Sequence, residues 1–143
     1  MPTTTATIGL SSDTGDSSIT INNTMTLYKA ASGTEGMDTM TSVSKILSST
    51  NQVDLAEYTA AGSTGASGHN FLYIKNPSTD PAEFFRFGMG ISGTGTQIIV
   101  EEFGMLYAGD WMMIPWSAID DTHDLMIWPS VSTDMTVEYM IFS

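Results

Sequence analysis

From Asn70 onward the chain is a succession of short aromatic and β-branched runs, each closed by turn residues, and this punctuation limits the available folds more than any other feature. Phe71-Leu72-Tyr73-Ile74-Lys75 ends at Asn76-Pro77-Ser78-Thr79-Asp80-Pro81. Glu83 to Met89 stops at Ser92-Gly93-Thr94-Gly95, and Gln97 to Phe103 leads towards Ala108-Gly109-Asp110. Trp111 to Trp116, Leu125 to Trp128 and Thr136 to Phe142 complete the series. Turn signals about every 8–12 residues between such runs mark antiparallel strands and not alternating helices and strands. The expected fold is all-β: an antiparallel β-sandwich, jelly-roll-like, of about eight strands.

The N-terminal half is more polar. Residues 1–17 are mostly Thr, Ser, Gly and Asp, with Ile8 and Leu10 as the apolar anchors, and read as a loosely ordered extended arm or a peripheral strand. Order is expected from Ser18, where Ile19, Ile21, Met25 and Leu27 alternate with Thr20, Asn22, Thr24, Thr26 and Tyr28; this period of two marks a half-buried strand with a hydroxyl-rich outer side. Met40 to Tyr58 is read as two short strands around Ser48-Ser49-Thr50-Asn51, since strong helix formers are few. Ala60 to His69 is a flexible Gly/Ser loop within one domain spanning 18–143, because the residues before it hold too few large apolar side chains for a core of their own. A chain of 143 residues suits one such domain and buries roughly two-thirds of its surface.

Several late runs are apolar on both sides. Trp111-Met112-Met113-Ile114 and Met140-Ile141-Phe142 show little alternation, and a strand apolar on both faces is normally covered on both. One sandwich face meets the core; the other is expected to meet a neighbouring subunit or another protein. Trp111, Met113, Trp116, Trp128 and Met140 are the expected core and subunit contacts. The chain's 11 methionines suit adaptable packing at such surfaces, although they fill ordinary cores equally well.

Charge excludes whole classes of partner. Sixteen acidic residues against four basic ones give a net charge of −12, which opposes both nucleic acid and an anionic membrane surface. No run approaches the roughly twenty apolar residues of a membrane span. The N-terminus lacks the basic and apolar regions of a signal peptide. The absence of cysteine removes disulfides, thiolate metal sites and a cysteine nucleophile.

No motif specifies a reaction. Asp120-Asp121-Thr122-His123-Asp124 is the best candidate for a hard cation, with Asp120, Asp121 and Asp124 as oxygen ligands, but its spacing fits no calcium loop and Asp also favours turns. Asp13-Thr14-Gly15 matches one half of an aspartic-protease pair whose second half is missing. His69 and His123 are too few for a three-imidazole zinc site, and no Gly-x-Ser-x-Gly elbow fixes a nucleophilic serine. Glu101 and Glu102, adjacent on a strand, point to opposite faces and do not converge on one bond. Gly88-Met89-Gly90-Ile91-Ser92-Gly93 is only loosely a phosphate-binding fingerprint. Trp111, Trp116 and Trp128, with Tyr73 and Tyr107, can be read as a sugar-stacking platform or, more simply, as core. The expectation is a protein that is not an enzyme and holds no cofactor.

Leu72-Tyr73-Ile74-Lys75-Asn76, Leu106-Tyr107-Ala108-Gly109-Asp110-Trp111, Ile114-Pro115-Trp116 and the ending Thr136-Val137-Glu138-Tyr139-Met140-Ile141-Phe142 together resemble the small β-sandwich structural proteins of tailed-bacteriophage virions, notably head decoration (cement) proteins. The likeness is one of pattern and covers residues 70 to 143. It implies a non-enzymatic, frequently trimeric protein on the capsid exterior, bound to the major capsid protein at symmetry points, with an N-terminal arm reaching along the shell or to a neighbour. The alternative is a carbohydrate- or receptor-binding module of a phage fibre or spike. The acids, scattered at Asp13, Asp16, Asp38, Asp80, Asp110, Asp120, Asp121 and Asp134, would then serve to keep an apolar assembly soluble before it docks.

Overall fold

In a computed structural model, residues 3–12, 18–29, 32–48, 51–56, 70–93, 96–117, 123–131 and 133–143 are described. They contain ten strands: β1 (Thr4–Ser12), β2 (Ile19–Leu27), β3 (Met40–Leu47), β4 (Val53–Ala56), β5 (Asn70–Lys75), β6 (Phe85–Gly93), β7 (Thr96–Leu106), β8 (Trp111–Trp116), β9 (Asp124–Pro129) and β10 (Met135–Phe142). All pairings are antiparallel. β1 and β2 form a two-stranded ribbon. The other eight form two four-stranded sheets, ordered β3-β10-β5-β8 and β4-β9-β6-β7. Along the chain every connection from β3 to β10 passes from one sheet to the other, except the β6–β7 hairpin.

One apolar cluster joins the two sheets into a sandwich. Leu47, Leu72, Ile74, Trp116, Met135, Val137 and Tyr139 from the first sheet meet Leu55, Phe85, Leu106, Leu125 and Ile127 from the second. Register explains the selection. Leu72 stands between Ile114 and Ile141, and Ile74 between Met112 and Tyr139, so these six side chains share the inner face of the first sheet. One residue along, Tyr73 stands between Met113 and Met140 on the outer face. The apolar runs of β8 and β10 therefore serve both faces: Met112 and Ile114 face the core, while Trp111 and Met113 face outward.

At two places the backbone needs a specific residue. The β6–β7 pairing shifts register between Phe87 and Gly88, and this bulge brings the β7 backbone onto Gly88. A Cβ there would lie 2.1 Å from the Glu101 carbonyl oxygen. Gly109, at φ +81°, occupies the left-handed position of the β7–β8 turn, closed by a 2.9 Å bond from the Asp110 amide to the Tyr107 carbonyl. Below that turn lies Asn76, fully buried. Its amide nitrogen donates to the carbonyls of Glu83 (3.1 Å) and Leu106 (3.2 Å), and its side-chain oxygen accepts from the Ser78 amide (3.1 Å). Its own backbone exchanges bonds with Asp110 and Gly109. One amide side chain thus ties the end of β5 to the 76–84 loop and the end of β7.

The sequence reading and the structure agree on an all-β antiparallel protein, and the strands from β5 to β10 lie where the punctuated runs predict them. They differ at the N-terminus. Residues 4–12, expected as part of a loose arm or a peripheral strand, pair along their whole length with 19–27, from Thr4 opposite Leu27 to Ser12 opposite Ile19. Ten strands are described where about eight are expected: eight in the sandwich and two in the ribbon, of which β2 is expected as a strand of the sandwich domain and instead lies outside both of its sheets. The Gly/Ser loop 60–69 lies outside the described residues.

Candidate interaction surface

The ribbon has two chemically distinct sides because direct cross-strand partners point the same way. Thr5, Thr7 and Ser11 of β1 pair with Thr26, Thr24 and Thr20, making one side almost wholly hydroxyl; Thr7 and Thr24 hydrogen-bond through their side chains at 3.0 Å. Ala6, Ile8 and Leu10 share the other side with Met25, Ile21, Ile19 and Leu27, and with the polar Asn23 opposite Ile8 and Thr4 and Ser12 at the two ends. No residue of either strand is charged.

Only the base of this ribbon rests on the sandwich. Leu27, Met37 and Phe71 form a second buried cluster, against which Ala6, Met113 and Phe142 pack. Phe71, Met113 and Phe142 belong to the outer face of the first sheet, so part of that face is covered by the chain's own N-terminal strands. The sequence had pointed to a neighbouring subunit for this cover. The physical reason is that the arm has enough alternating apolar residues to make a ribbon, and its base can fold back. Polar clamps hold it there: the Thr4 hydroxyl donates to the Met37 carbonyl at 2.9 Å, the Met37 amide to Leu27, and the Asp38 and Thr39 amides to Ser143 at the end of the chain. Lys29 adds ion pairs to Asp38 (2.9 Å) and Glu35 (3.4 Å). The hydrogen bond and charge of Lys29 hold the Asp38 carboxyl below the usual carboxylate range, and Asp38 in turn, more than Glu35, raises the Lys29 ammonium.

Beyond its base the ribbon stands clear of the sandwich. Ile8, Leu10, Ile19, Ile21 and Met25 are each between 44% and 55% exposed. Where the ribbon parts from the sheet, a cleft of about 380 Å3 opens between Ala6 and Ile8 on one wall and Tyr73, Trp111, Met113 and Phe142 on the other. Trp111 is 55% exposed and lies against Tyr73, with ring centroids 6.0 Å apart. The resulting surface runs from the ribbon's apolar side into an aromatic cleft.

The remaining residues singled out by sequence are dispersed. Trp116 is buried between the sheets, and its indole nitrogen donates to the His123 carbonyl at 3.1 Å. Trp128 lies on the second sheet under the Arg86 guanidinium, 4.8 Å from the ring centre, while Arg86 also makes a two-pronged contact with Glu102 (3.1 and 2.6 Å). Met140 is half-buried, opposite Tyr73. Asp124 is buried at the start of β9; Asp120, Asp121, Asp13 and His69 lie outside the described residues. Among the described residues no three His, Asp or Glu side chains gather as a metal site would require. At the other end of the sandwich an apolar slot of about 600 Å3 opens between the sheets, lined by Phe87, Phe103, Met112, Ile114 and Trp116 among others.

All four cations of the chain have partners within it. Lys29 and Arg86 pair with carboxylates as above, Lys75 pairs with Glu138 across the β5–β10 register at 3.8 Å, and the Lys45 ammonium donates to the Asp54 carbonyl at 3.3 Å. Among the described residues no helix is long and apolar enough to cross a membrane.

Sequence reasoning missed that Ile8 and Leu10 belong with Ile19, Ile21 and Met25. The signal was present: Ala6, Ile8 and Leu10 alternate with Thr5, Thr7 and Gly9, the same period of two that marks β2. Comparisons with protein-family models, with curated proteins and with solved structures give no match to this chain.

Proposed function

We propose that the chain is a non-enzymatic structural protein of a bacteriophage virion, a homotrimer that decorates the capsid exterior and stabilises the shell through contacts with the major capsid protein. The observation that carries this reading is a small sandwich bearing an uncharged, apolar-sided ribbon that stands clear of its own body beyond its base. Such a ribbon is an assembly element: a two-stranded ribbon is marginal in water by itself, and its apolar side gains from contact with a partner. The strand order of the two sheets is read as a jelly roll, an architecture shared by viral capsid and lectin domains. Repetition over a symmetric shell would turn modest contacts into firm attachment through effective concentration. The excess of acid over base suits an exterior location, away from packaged DNA.

The test uses particles assembled without this chain. They should lose their genome at lower temperature than complete particles, and added purified protein should restore the difference. Unchanged heat resistance in the deleted particles would refute the reading.

A second reading rests on Trp111, whose exposed ring beside Tyr73 is a possible stacking surface for a sugar on a fibre or spike module. Of the residues lining the cleft, Tyr73 and Thr4 carry hydroxyls on this side of the ribbon, and none carries an amide or carboxylate side chain to fix sugar hydroxyls. Signal on a glycan array that Trp111→Ala abolishes would favour this reading over decoration.

A further inference from the structure

We propose that the apolar side of the β1–β2 ribbon is the self-association surface of this protein, occupied by the same side of the ribbon from a second copy of the chain. The inference takes from the reading above only that copies associate: like sides meet about a two-fold axis, so this contact pairs copies, whether single or within trimers, and is independent of where in a virion the protein sits.

Area supports a second copy. Ile8, Leu10, Ile19, Ile21 and Met25 lie on one side of two paired strands, interrupted by the polar side chain of Asn23 opposite Ile8. Five half-exposed side chains of this size approach the few hundred Å2 at which a patch on a monomer marks an interaction site. Packing face to face buries the patch twice. An interface of that size falls at the low end of the range, among contacts that associate weakly and respond to concentration.

Charge supports it as well. A chain of net charge −12 repels its own copies over most of its surface. The ribbon carries no charged side chain in Thr4–Ser12 or Ile19–Leu27, so two copies meeting there bring no like charges into direct opposition. Its pattern also suits packing on itself: the aliphatic side chains of Ile8, Leu10, Ile19, Ile21 and Met25 can interdigitate across two stacked layers about 10 Å apart, with the threonine sides left in water. The ribbon thereby acquires the second layer that a free two-stranded sheet lacks.

Sedimentation velocity of the full chain over a wide concentration range tests the proposal, with Leu10→Asp and Ile21→Asp on the apolar side and Thr7→Asp on the hydroxyl side. Wild type and Thr7→Asp should sediment as oligomers. Leu10→Asp and Ile21→Asp should weaken association about 30-fold or more while keeping the fluorescence of buried Trp116. A monomeric wild type at all concentrations overturns the proposal. So do tip variants that still associate like wild type, or a Thr7→Asp variant that dissociates as readily as they do. Should an aspartate variant fail to fold, Leu10→Ser and Ile21→Ser apply the same test more gently. Loss of association in the tip variants without any effect of the protein on particle stability would sink the virion reading and leave this one standing.

Discussion

Leu10 stands directly opposite Ile21 on the apolar side of the N-terminal ribbon, and the two side chains remain 54% and 50% exposed. Six register pairs closer to the base, Leu27 on that same side is fully buried against Met37 and Phe71. One side of one ribbon thus passes from core to surface within a few residues. In dilute, unassociated protein Ile21→Ser should change folding stability by no more than about 0.5 kcal/mol, whereas Leu27→Ala should cost about 2–5 kcal/mol. Urea denaturation of the two variants checks the contrast; equal losses would mean that the ribbon tip is packed within the monomer.

Gly88 carries the closest backbone approach in the sandwich. A methyl group at that position would collide with the Glu101 carbonyl, which the β7 bulge holds in place. Gly88→Ala should therefore reach or exceed the upper end of the usual overpacking cost of about 1–3 kcal/mol. Gly9→Ala, where an added Cβ meets nothing within 4 Å, should be neutral or slightly stabilising. Thermal unfolding of both variants decides it.

Asn76 is the polar counterpart. Asn76→Ala removes the side-chain donor from two carbonyls and the acceptor from the Ser78 amide. Each group left buried and unpaired costs about 1–3 kcal/mol, so the variant should lose several kcal/mol where water cannot enter. Asn76→Asp should fare no better, because a carboxylate cannot donate to the Glu83 and Leu106 carbonyls. Chemical denaturation of both variants provides the measurement, with wild-type stability in either counting against this role.

The Lys29–Asp38 pair gives the ribbon's base a dependence on pH. The folded Asp38 carboxyl titrates below its ordinary 3.8, so as pH falls through that value the unfolded chain takes up the proton first and stability drops. Lys29, raised above 10.5, loses its contribution as pH rises past that value. Burial raises the Tyr139 phenol above 10.0, so stability also falls beyond that pH, where the unfolded chain releases its proton first. Because the Lys29–Asp38 pair is exposed its effect is small. Asp38→Asn should flatten the acid limb of a stability-against-pH curve and leave the Tyr139 limb in place.

How legible the fold was in the sequence depended on which forces chose each element. β5 to β10 combine aromatic and β-branched residues with Pro or Gly breakers, and local chemistry alone locates them; the turn at Ala108-Gly109-Asp110 lies where its glycine indicates. β3 and β4 were legible as two short strands on either side of Ser48–Asn51. β1 was not, because its strand character comes from pairing with β2 and the period of two is diluted by Thr, Ser and Gly9. Nor could alternation assign the two faces of Trp111-Met112-Met113-Ile114. Cross-strand register settles that: Met113 lies opposite Tyr73 on the outer side and Ile114 opposite Leu72 in the core. The surface proposed for assembly was hidden for the same reason, since half of it lies on the strand that the sequence alone reads as a loose arm or a peripheral strand.

Cryo-electron microscopy of assembled particles carrying this chain tests the central claim most directly. The account predicts sandwich-shaped density on the capsid exterior, with N-terminal ribbons from neighbouring copies meeting through Ile8, Leu10, Ile19 and Ile21. Density confined to the tail or a fibre tip, or ribbons lying apart from one another, would contradict it.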